Sequence, residues 1–326
     1  MPLFNPHIQP FMATSLSIII VNYNSWQVLS KLLQSILTQV IDEQLIDSLK
    51  IVIVDNNSSQ SMPDFSHLNQ SLHSKNIEII WILHPSNAGF AAGCNLGAGH
   101  ADSELLLFCN PDIVIPENGL NALVKEYQAH DAALLAPAQV NNHNKAHKIS
   151  GRFPSLLRYI PLLGGVFKQA QSTVTDGSVS MCDWISGAVI LMKNKDFKHL
   201  GGWDESFFMF MEDVDLCYRA SQNGLTVGVT DKTIWLHHHG ISSKQRMVDR
   251  VRSKSAALAA KHIYVKKHFK GWRKYLAQVF ISLKYIPELL LGWLLSWLIP
   301  KPIFVSRRLI LHRHLSDFKN GFKKSS

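Results

Sequence analysis

The sequence predicts an α/β protein centred on a doubly wound, parallel sheet. Two observations predict this class: short apolar, β-branched runs recur along the first half of the chain, and segments with helical spacing of apolar residues separate them. Strands that alternate with helices in this way pair in parallel within one sheet. In such sheets ligands bind beyond the carboxyl ends of the strands. We therefore expect the polar residues that follow the strands to share one crevice.

The first two strands are predicted at residues 17–21 and 50–54, both continuous apolar runs typical of strands buried on both faces. Between them, residues 25–40 carry apolar side chains at i, i+3 and i+4 spacing, which predicts a helix with Ser25 as its N-cap. The polar residues directly after the two strands are the first candidates for the crevice: Asn22, Asn24, Asp55 and Asn56.

Two further strands are predicted at residues 77–83 and 105–108, and a helix at residues 120–130. Asn110 and Asp112 follow the fourth strand and join the candidates for the crevice. The later part of this half is less regular. Residues 141–180 are rich in Gly, Ser, Thr and Pro, which predicts loops around short strands. Residues 184–192 predict a further strand, and residues 212–221 predict a short helix.

The composition agrees with a folded protein of one large or two ordinary domains. The chain has 326 residues, of which 46% are hydrophobic and 17% charged, and these values exclude a disordered chain and a fibrous repeat. The four cysteines form no CxxC pair, which argues against a zinc knuckle or a disulfide framework and favours a reducing compartment. No cationic and apolar leader precedes Ser17, so we do not expect a cleaved secretion signal.

A glycine-rich stretch at residues 87–99 follows the third strand. Its glycines, at positions 89, 93, 97 and 99, give neither the G-x-G-x-x-G spacing of dinucleotide-binding folds nor a P-loop. Exposed backbone N–H groups in such a stretch could receive phosphate, and small residues could equally serve close helix packing. Glycine spacing alone leaves both interpretations open.

Three groups of residues could carry chemistry. Asp112, introduced by Asn110 and Pro111, is suited either to a hard divalent cation that binds a diphosphate or to a simple turn. Glu212 and Asp213 follow an aromatic run, and apolar surroundings raise a carboxyl pKa toward the range of a general base; the alternative is an ordinary acidic helix start. At most two of the three histidines at 237–239 could face one ion, since side chains alternate along a strand.

The set of motifs, taken in order, resembles the family 2 inverting glycosyltransferases, in particular their bacterial rhamnosyltransferase-like branch. The resemblance covers about residues 16–245 and rests on eight motifs: Val21-Asn22-Tyr23-Asn24; Val54-Asp55-Asn56-Asn57-Ser58; Asn87-Ala88-Gly89-Phe90 with Gly93 and Asn95; Asn110-Pro111-Asp112; Trp184-Ile185-Ser186-Gly187-Ala188; Gly201-Gly202-Trp203-Asp204-Glu205 with Phe207 and Phe208; Glu212-Asp213-Val214-Asp215 with Arg219; and His237 with Gly240 and Ser242.

The resemblance implies a GT-A fold, in which a nucleotide-binding α/β half joins an acceptor-binding half. It implies that Asp55 contacts the nucleobase with Asn22 and Asn24 nearby, and that Asn87, Gly89 and Asn95 approach the ribose or pyrophosphate. Asn110 stands where the family carries the first Asp of its Asp-x-Asp motif, so Asp112 would ligate Mg²⁺ or Mn²⁺ with His237 close by. Asp213 would be the catalytic base, with Glu212 as the second choice for that role.

These roles imply transfer of a sugar from a nucleoside diphosphate with inversion at the anomeric carbon. The expected donor is dTDP-L-rhamnose, and the expected acceptor is a lipid-linked glycan or polysaccharide of the bacterial surface. Two other classes remain open: a nucleotidylyltransferase, which normally carries Arg and Lys in a Gly-rich loop after its first strand, and a noncatalytic membrane-bound binder of sugar nucleotides, which would not need Asp213.

The charge of the chain is concentrated at its C-terminal end. Residues 244–326 carry a net charge of +16 within a total of +9, so the body before them is acidic. Residues 276–299 are apolar, but Lys284, Pro287 and Glu288 interrupt them and leave eleven uncharged residues, too few to cross about 30 Å of hydrocarbon as a helix. The pattern instead predicts amphipathic helices on an anionic membrane surface.

The expected organisation therefore has three parts: an N-terminal extension at 1–15, a catalytic domain at 16–243 and a basic, membrane-associating helical region at 244–326. We expect the protein in the cytoplasm, peripheral on the inner face of the cell membrane. The alternative for the apolar tail is packing on the catalytic domain or on a second copy of the chain, as a homo-oligomer through the C-terminal helices. No nucleic-acid-binding signature accompanies the basic charge, so nucleic acid is not an expected partner.

Overall fold

The computed structural model of the protein describes residues 12–161, 179–238, 247–299 and 301–319. Its eleven strands in chain order are β1 (Thr14–Asn22), β2 (Ile46–Asp55), β3 (Glu78–Leu83), β4 (Leu105–Cys109), β5 (Ile113–Val114), β6 (Leu134–Val140), β7 (Ser150–Gly151), β8 (Val179–Met181), β9 (Trp184–Ile185), β10 (Val189–Lys193) and β11 (Val227–His237). The ten helices are α1 (Trp26–Leu37), α2 (Ser66–Ser74), α3 (Phe90–Gly99), α4 (Gly119–Ala129), α5 (Leu156–Tyr159), α6 (Asn194–His199), α7 (Glu212–Gln222), α8 (Met247–His268), α9 (Trp272–Leu298) and α10 (Pro302–Lys319).

Nine of these strands form one central sheet in the order β3-β2-β1-β4-β10-β6-β11-β5, with β8 paired to β11. The strands β3, β2, β1 and β4 run parallel to one another, as the alternation of strands and helices predicts. The apolar runs of β1, β2 and β4 are buried because helices cover both faces; Ile18, Ile19 and Ile20 are examples. The α/β class predicted from the sequence is therefore confirmed.

The second half of the sheet is mixed rather than parallel. Residues 184–192, expected as one strand, form the two strands β9 and β10, and β10 runs antiparallel to both β4 and β6. Val189 pairs with Cys109, so β10 starts where β4 ends and can only run back along it. This arrangement brings residues 186–188 to the carboxyl edge of β4, where the backbone N–H of Asn110 donates to the carbonyl of Ala188 at 2.8 Å.

Helix α9 corrects the expectation that Lys284, Pro287 and Glu288 interrupt the apolar tail. The helix runs without a break from Trp272 to Leu298, with Pro287 inside it. An internal proline costs a helix about 3 kcal/mol, which packing can offset, and Ile281 and Leu289 are buried on either side of it. Among the described residues, α9 is the one helix whose length and apolar composition would suffice to cross a membrane.

The C-terminal helices α8, α9 and α10 pack on one another and on the sheet domain. Their shared core contains Val251, Leu258, Ile281 and Ile310, and Tyr159 of α5 joins it. Gly292 marks the closest approach of α9 to α10, since a Cβ there would lie 2.5 Å from side-chain atoms of Arg307. A second apolar cluster joins α8 to α7 through Phe207, Val214, Ala260 and Tyr264.

Candidate active site

The carboxyl edge of the sheet opens into a cavity of about 380 Å³. It is bounded by the residues after β1 and β4, by the loop between β9 and β10, by the start of α7 and by one face of α8. Seven of the residues expected at the site line this cavity: Asn87, Gly89, Asn110, Asp112, Glu212, Asp213 and His237. Asp112 and Asp213 therefore open into one cavity.

Asp112 and His237 meet because of strand pairing. The short strand β5 follows Asp112 directly and pairs with the end of β11, where Ile113 lies opposite His237. The backbone N–H of His238 donates to the carbonyl of Asp112 at 2.9 Å, which holds the two segments together. Both side chains are buried, and the Oδ1 atom of Asp112 lies 3.3 Å from the Nε2 atom of His237. His239 lies outside the described residues.

Gln139 on β6 contacts one of the two ring nitrogens of His237. Its Oε1 atom lies 2.8 Å from Nδ1 of His237, a hydrogen bond in the tautomer that carries its proton on Nδ1. In the neutral imidazole, Nε2 then presents a lone pair toward the carboxylate of Asp112. A carboxylate oxygen and an imidazole nitrogen lying side by side are suitable ligands for a divalent cation.

A cation at this pair would take the rest of its ligands from elsewhere. Within the described ranges, no three His, Cys, Asp or Glu side chains are grouped so that they could hold a metal ion. Mg²⁺ is commonly bound by one or two carboxylates together with substrate phosphates, so the pair of Asp112 and His237 fits a metal that binds with a diphosphate.

The acidic pair Glu212 and Asp213 begins α7. Phe210 and Met211, which precede it, both have left-handed backbone conformations, with φ of 73° and 66°. Such conformations are costly for side-chain-bearing residues and are typical of functional loops, and here they aim the start of the helix at the cavity. Asp213 accepts hydrogen bonds from the backbone N–H groups of Gly187 at 3.0 Å and Val214 at 2.8 Å.

The two carboxyl groups have different electrostatic environments. Burial, and then the charge of Asp213, raise the pKa of Glu212 well above its usual range. Burial also raises the pKa of Asp213, but its two backbone hydrogen bonds favour the ionised form and oppose the rise. The pair therefore holds a proton most readily on Glu212, which leaves Asp213 as the group able to accept one.

The glycine-rich stretch allows close packing at two places, one of them on the cavity wall. Gly89 has φ of +94°, and a Cβ there would lie 2.3 Å from the carbonyl oxygen of Phe208, so only glycine fits at this point of the cavity wall. Gly93 and Gly97 instead allow α3 to approach the sheet, because a Cβ on them would lie under 3 Å from Val21 and Ile19 respectively. Asn56 donates to the carbonyl of Gly89 at 3.0 Å and lines the cavity.

Asn22, Asn24 and Asp55 lie beside the cavity without lining it. Asn22 donates to Asp55 at 2.9 Å, and Asp55 also accepts hydrogen bonds from the backbone and hydroxyl of Ser58. Asn24, with φ of 52°, accepts from the backbone N–H groups of Ser59 and Gln60. The buried Oδ1 atom of Asn22 has no hydrogen-bond partner in the described structure. These residues form a polar shelf next to Asn56.

Asn95 lies outside the lining of the cavity. Its amide accepts from the backbone N–H of Trp203 at 2.9 Å and donates to the carbonyl of the same residue at 2.8 Å. In this structure both polar atoms thus hold the turn before α7, and the implied contact with the ribose or pyrophosphate stays a prediction.

Three lining residues come from a part of the chain that the sequence analysis assigned to the membrane-associating region. Asp249, Arg252 and Ser253 on α8 all face the cavity. Their i, i+3, i+4 spacing on one helix face was the available signal. The sequence did not distinguish them, because basic residues occur throughout residues 244–326.

Residues 17–212 match the family model described as glycosyl transferase family 2. Three curated relatives are similar to the chain. The low-salt glycan biosynthesis hexosyltransferase Agl10 of Haloferax volcanii is 25% identical over 72% of this chain and 70% of its own length. Rhamnosyltransferase WbbL of Escherichia coli is 31% identical over 38% of this chain and 48% of its own length. The N-acetylglucosaminyl-diphospho-decaprenol L-rhamnosyltransferase of Mycobacterium tuberculosis is 25% identical over 69% of this chain and 76% of its own length.

Two solved structures share the fold. The mannosyltransferase PcManGT of Pyrobaculum calidifontis, in complex with GDP-Man and Mn²⁺, superposes with a TM-score of 0.55 at 13% identity and covers 97% of this chain and 91% of its own. GalNAc-T7 with UDP, GalNAc and Mn²⁺ gives a TM-score of 0.56 at 13% identity over 83% of this chain, which spans about half (54%) of GalNAc-T7. Likeness at this identity shows the fold alone, a GT-A fold.

Proposed function

The chain belongs to glycosyl transferase family 2, and from that membership we propose that it is an inverting, metal-dependent glycosyltransferase that moves L-rhamnose from dTDP-L-rhamnose to an acceptor hydroxyl. One observation carries the proposal: a metal-suited pair, Asp112 and His237, and a carboxyl pair with raised pKa values, Glu212 and Asp213, line the same cavity. Transfer of a sugar from a nucleoside diphosphate needs both functions within reach of one hexose.

Asp112 and His237 would hold Mg²⁺ or Mn²⁺. When bound, the ion neutralises the charge that develops on the diphosphate leaving group. The Mn²⁺ in the two structures that share the fold is consistent with this choice. We propose that the polar shelf of Asn22, Asn24 and Asp55 receives the nucleobase, while Asn87 and Gly89 border the ribose and pyrophosphate.

Asp213 would accept the proton of the attacking hydroxyl. The acceptor oxygen forms its bond to the anomeric carbon while the bond from that carbon to the diphosphate oxygen breaks on the opposite face, so one displacement inverts the configuration. Glu212, which keeps its proton more readily, is the second choice for the base. No carboxylate nucleophile is needed on the sugar, unlike in a retaining glycosidase.

The choice of donor and acceptor rests on the relatives. Two of them are named as rhamnosyltransferases, and the name of the mycobacterial enzyme specifies an acceptor joined through a diphosphate to a polyprenol. We propose a lipid-linked glycan acceptor of the same kind for this chain, in the assembly of a bacterial surface glycan, with residues 16–243 forming the catalytic domain.

The C-terminal helices would place the enzyme on the membrane that holds such an acceptor. One face of α9 exposes a stripe of apolar residues along its whole length, which we call the α9 stripe: Trp272, Tyr275, Val279, Leu283, Leu290, Leu294 and Trp297. Lys274 lies 4.9 Å from the ring of Tyr275, and Arg308 lies 5.2 Å from that of Trp297, so cations flank both ends. The opposite face is packed on α8 and α10, which favours a position on an anionic surface at the cytoplasmic face over a crossing of it.

The proposal is tested by a donor screen with the full chain, Mg²⁺ or Mn²⁺, and a membrane extract as acceptor source. We expect nucleoside diphosphate release with dTDP-L-rhamnose that requires the extract, and no release by Asp213→Ala, which should still bind the donor. Turnover of a UDP-sugar instead would reject rhamnose and keep the transferase. Donor binding without turnover of any sugar nucleotide would favour the noncatalytic binder.

A further inference from the structure

Helix α8 forms one wall of the reaction cavity although it lies beyond the residues matched by the family model. Asp249, Arg252 and Ser253 occupy one face of its first two turns and point into the cavity that contains Asp112 and Asp213. A substrate bound at the catalytic residues is therefore bordered by this helix, and its side chains can select what binds.

The charges on the cavity wall are unequal. Four carboxyl groups line it: Asp112, Glu212, Asp213 and Asp249. Among the lining residues that the structure describes, Arg252 is the single Arg or Lys side chain. A cavity for phosphorylated substrates that presents mostly carboxyl groups needs positive charge, and here it can come from a cation at Asp112 and His237 and from Arg252.

Arg252 is held in place without an ion pair. Its guanidinium carbon lies 4.9 Å from the centre of the Phe208 ring, and no salt bridge joins it to a residue in the described ranges. A guanidinium over an aromatic face keeps its N–H groups free at its edges, in a geometry that matches two phosphate oxygens. The side chain is thus oriented and still able to bind an anion.

The other end of α8 fixes this wall to the catalytic helix. Asp215, which is fully buried two residues after Asp213, accepts hydrogen bonds at 2.7 Å from Arg219, Lys267 and His268. Lys267 and His268 end α8, and Lys267 also pairs with Asp204 in the turn before α7. Arg252 and the carboxyl pair are therefore parts of one packed unit.

We propose that Arg252 binds a phosphate group of the acceptor and so makes α8 the acceptor-recognition wall of the cavity. This inference rests on the proposed function. A cation held by Asp112 and His237 would match the charge of the donor diphosphate, which leaves Arg252 for a second anionic group. Arg252 belongs to the same helical unit as the α9 stripe, so an acceptor whose lipid lies in the membrane reaches the cavity from the side of α8.

The test compares two acceptors that differ only in charge: N-acetylglucosamine joined to farnesol through a diphosphate, and the same sugar joined to farnesol directly. For Arg252→Gln we expect KM for the diphosphate acceptor to rise roughly 10- to 100-fold, the loss of one charge-assisted contact. KM for the uncharged acceptor and for the sugar nucleotide should stay within twofold. Arg250→Gln, an exposed position on the same helix outside the cavity lining, is the matched control and should change nothing.

Three results would overturn the proposal. A rise in donor KM alone would assign Arg252 to the donor diphosphate, an equal rise for both acceptors would reduce it to a packing role, and no change would remove it from the site. Arg252→Lys, which keeps the charge and loses the paired N–H geometry, should fall between the wild type and Arg252→Gln. Arg252→Lys also provides a variant that can be assayed if Arg252→Gln folds poorly.

Binding without turnover separates this inference from the proposed function. Farnesyl diphosphate alone should bind the wild-type chain about tenfold or more tightly than it binds Arg252→Gln, and farnesol should not distinguish them. If no sugar nucleotide is turned over but this difference is found, the proposed function fails and the anion site stands. Equal binding of farnesyl diphosphate by both chains would reject the site even in an active enzyme.

Discussion

At the scale of single residues, the chemistry depends on the different surroundings of two adjacent carboxyl groups. Glu212 is buried and its Oε2 atom has no partner in the described structure, whereas Asp213 accepts from two backbone N–H groups. A neutral carboxylic acid tolerates the first environment and a carboxylate prefers the second. We therefore assign the proton of the pair to Glu212 and the role of base to Asp213.

Substitution of the two residues should give unequal losses. Asp213→Asn removes the proton acceptor and should lower kcat about 10²- to 10⁴-fold. Glu212→Gln replaces a protonated acid by a neutral group of similar shape and should cost less than about tenfold in kcat by the same reasoning. Steady-state assays with saturating donor would measure both. Equal losses in the two variants would contradict the assignment and make Glu212 an alternative base.

The acid limb of the pH profile should report Asp213. Protonated Asp213 cannot accept a proton, so kcat/KM falls as the pH decreases through its pKa. Because burial raises this pKa above its usual value near 3.8, the fall should begin at a higher pH than an exposed aspartate would give. Circular dichroism over the same range would exclude unfolding as the cause. A rate independent of pH down to about 4, the ordinary range of this group, would contradict the role.

At the scale of elements, Asp215 connects α7 to α8. Burial by itself would raise the pKa of Asp215, but the hydrogen bond from His268, the charge of Arg219 and the contacts with Lys267 lower it to about 2. A carboxyl group with a lowered pKa stabilises the folded chain at pH values above its unfolded pKa. That stabilisation is lost as the pH falls toward about 2.

Asp215→Asn should therefore reduce the free energy of unfolding by about 3 kcal/mol near neutral pH, because Arg219, Lys267 and His268 lose the buried negative charge that they share. The wild-type chain should lose stability between about pH 4 and pH 2, and the variant should show a smaller change over this interval. Urea unfolding at several pH values would measure it. Asp231→Asn, an exposed aspartate on β11, is the control. A stability of Asp215→Asn equal to that of the control would show that the cluster contributes little.

The sequence was informative about elements whose pattern is local. Buried runs predict β1, β2 and β4 to within a few residues, and the apolar spacing predicts α1. The direction of β10 could not be predicted, because it depends on where its loop meets β4. Pro287 led to a wrong expectation. Local propensity indicates a break in the helix at this residue, but the tertiary packing of α9 overrides that propensity.

The candidate site likewise contains some residues that local sequence patterns indicated and others that only the tertiary fold reveals. Asp112, Glu212, Asp213 and His237 were found from motifs that each follow a strand or begin a helix, and they line one cavity. The contact of Asn95 with Trp203 could not be predicted, because the two residues are 108 positions apart in the chain. Arg252 was not singled out, since only the folding of α8 back onto α7 separates it from the other basic residues of the tail.

At the scale of the whole molecule, the α9 stripe should attach the enzyme to membranes. Leu290→Glu with Leu294→Glu introduces two charges into the exposed apolar surface and should reduce binding to vesicles containing an anionic lipid more than tenfold, since each buried Leu contributes about 2 kcal/mol. Vesicle sedimentation would measure the bound fraction. The same substitution at Leu83, an exposed leucine at the end of β3, is the matched control.

Sedimentation velocity of the same variants tests whether the α9 stripe instead joins two copies of the chain. If the α9 stripe joined two copies of the chain, the wild type would be a dimer and the double variant a monomer, while vesicle binding stayed unchanged. That result would make the membrane assignment wrong. Reduced vesicle binding with no change in molecular mass is the expected result.

The antiparallel insertion of β10 has a consequence for synthesis on the ribosome. Strand β4 pairs with β10 along one side, yet Val189 is made 80 positions after Cys109. Until then the nascent chain exposes an open, wholly apolar strand edge, Leu105–Cys109, of the kind that pairs with other chains. Chaperone demand should therefore peak in this interval of translation and end once β10 has left the exit tunnel.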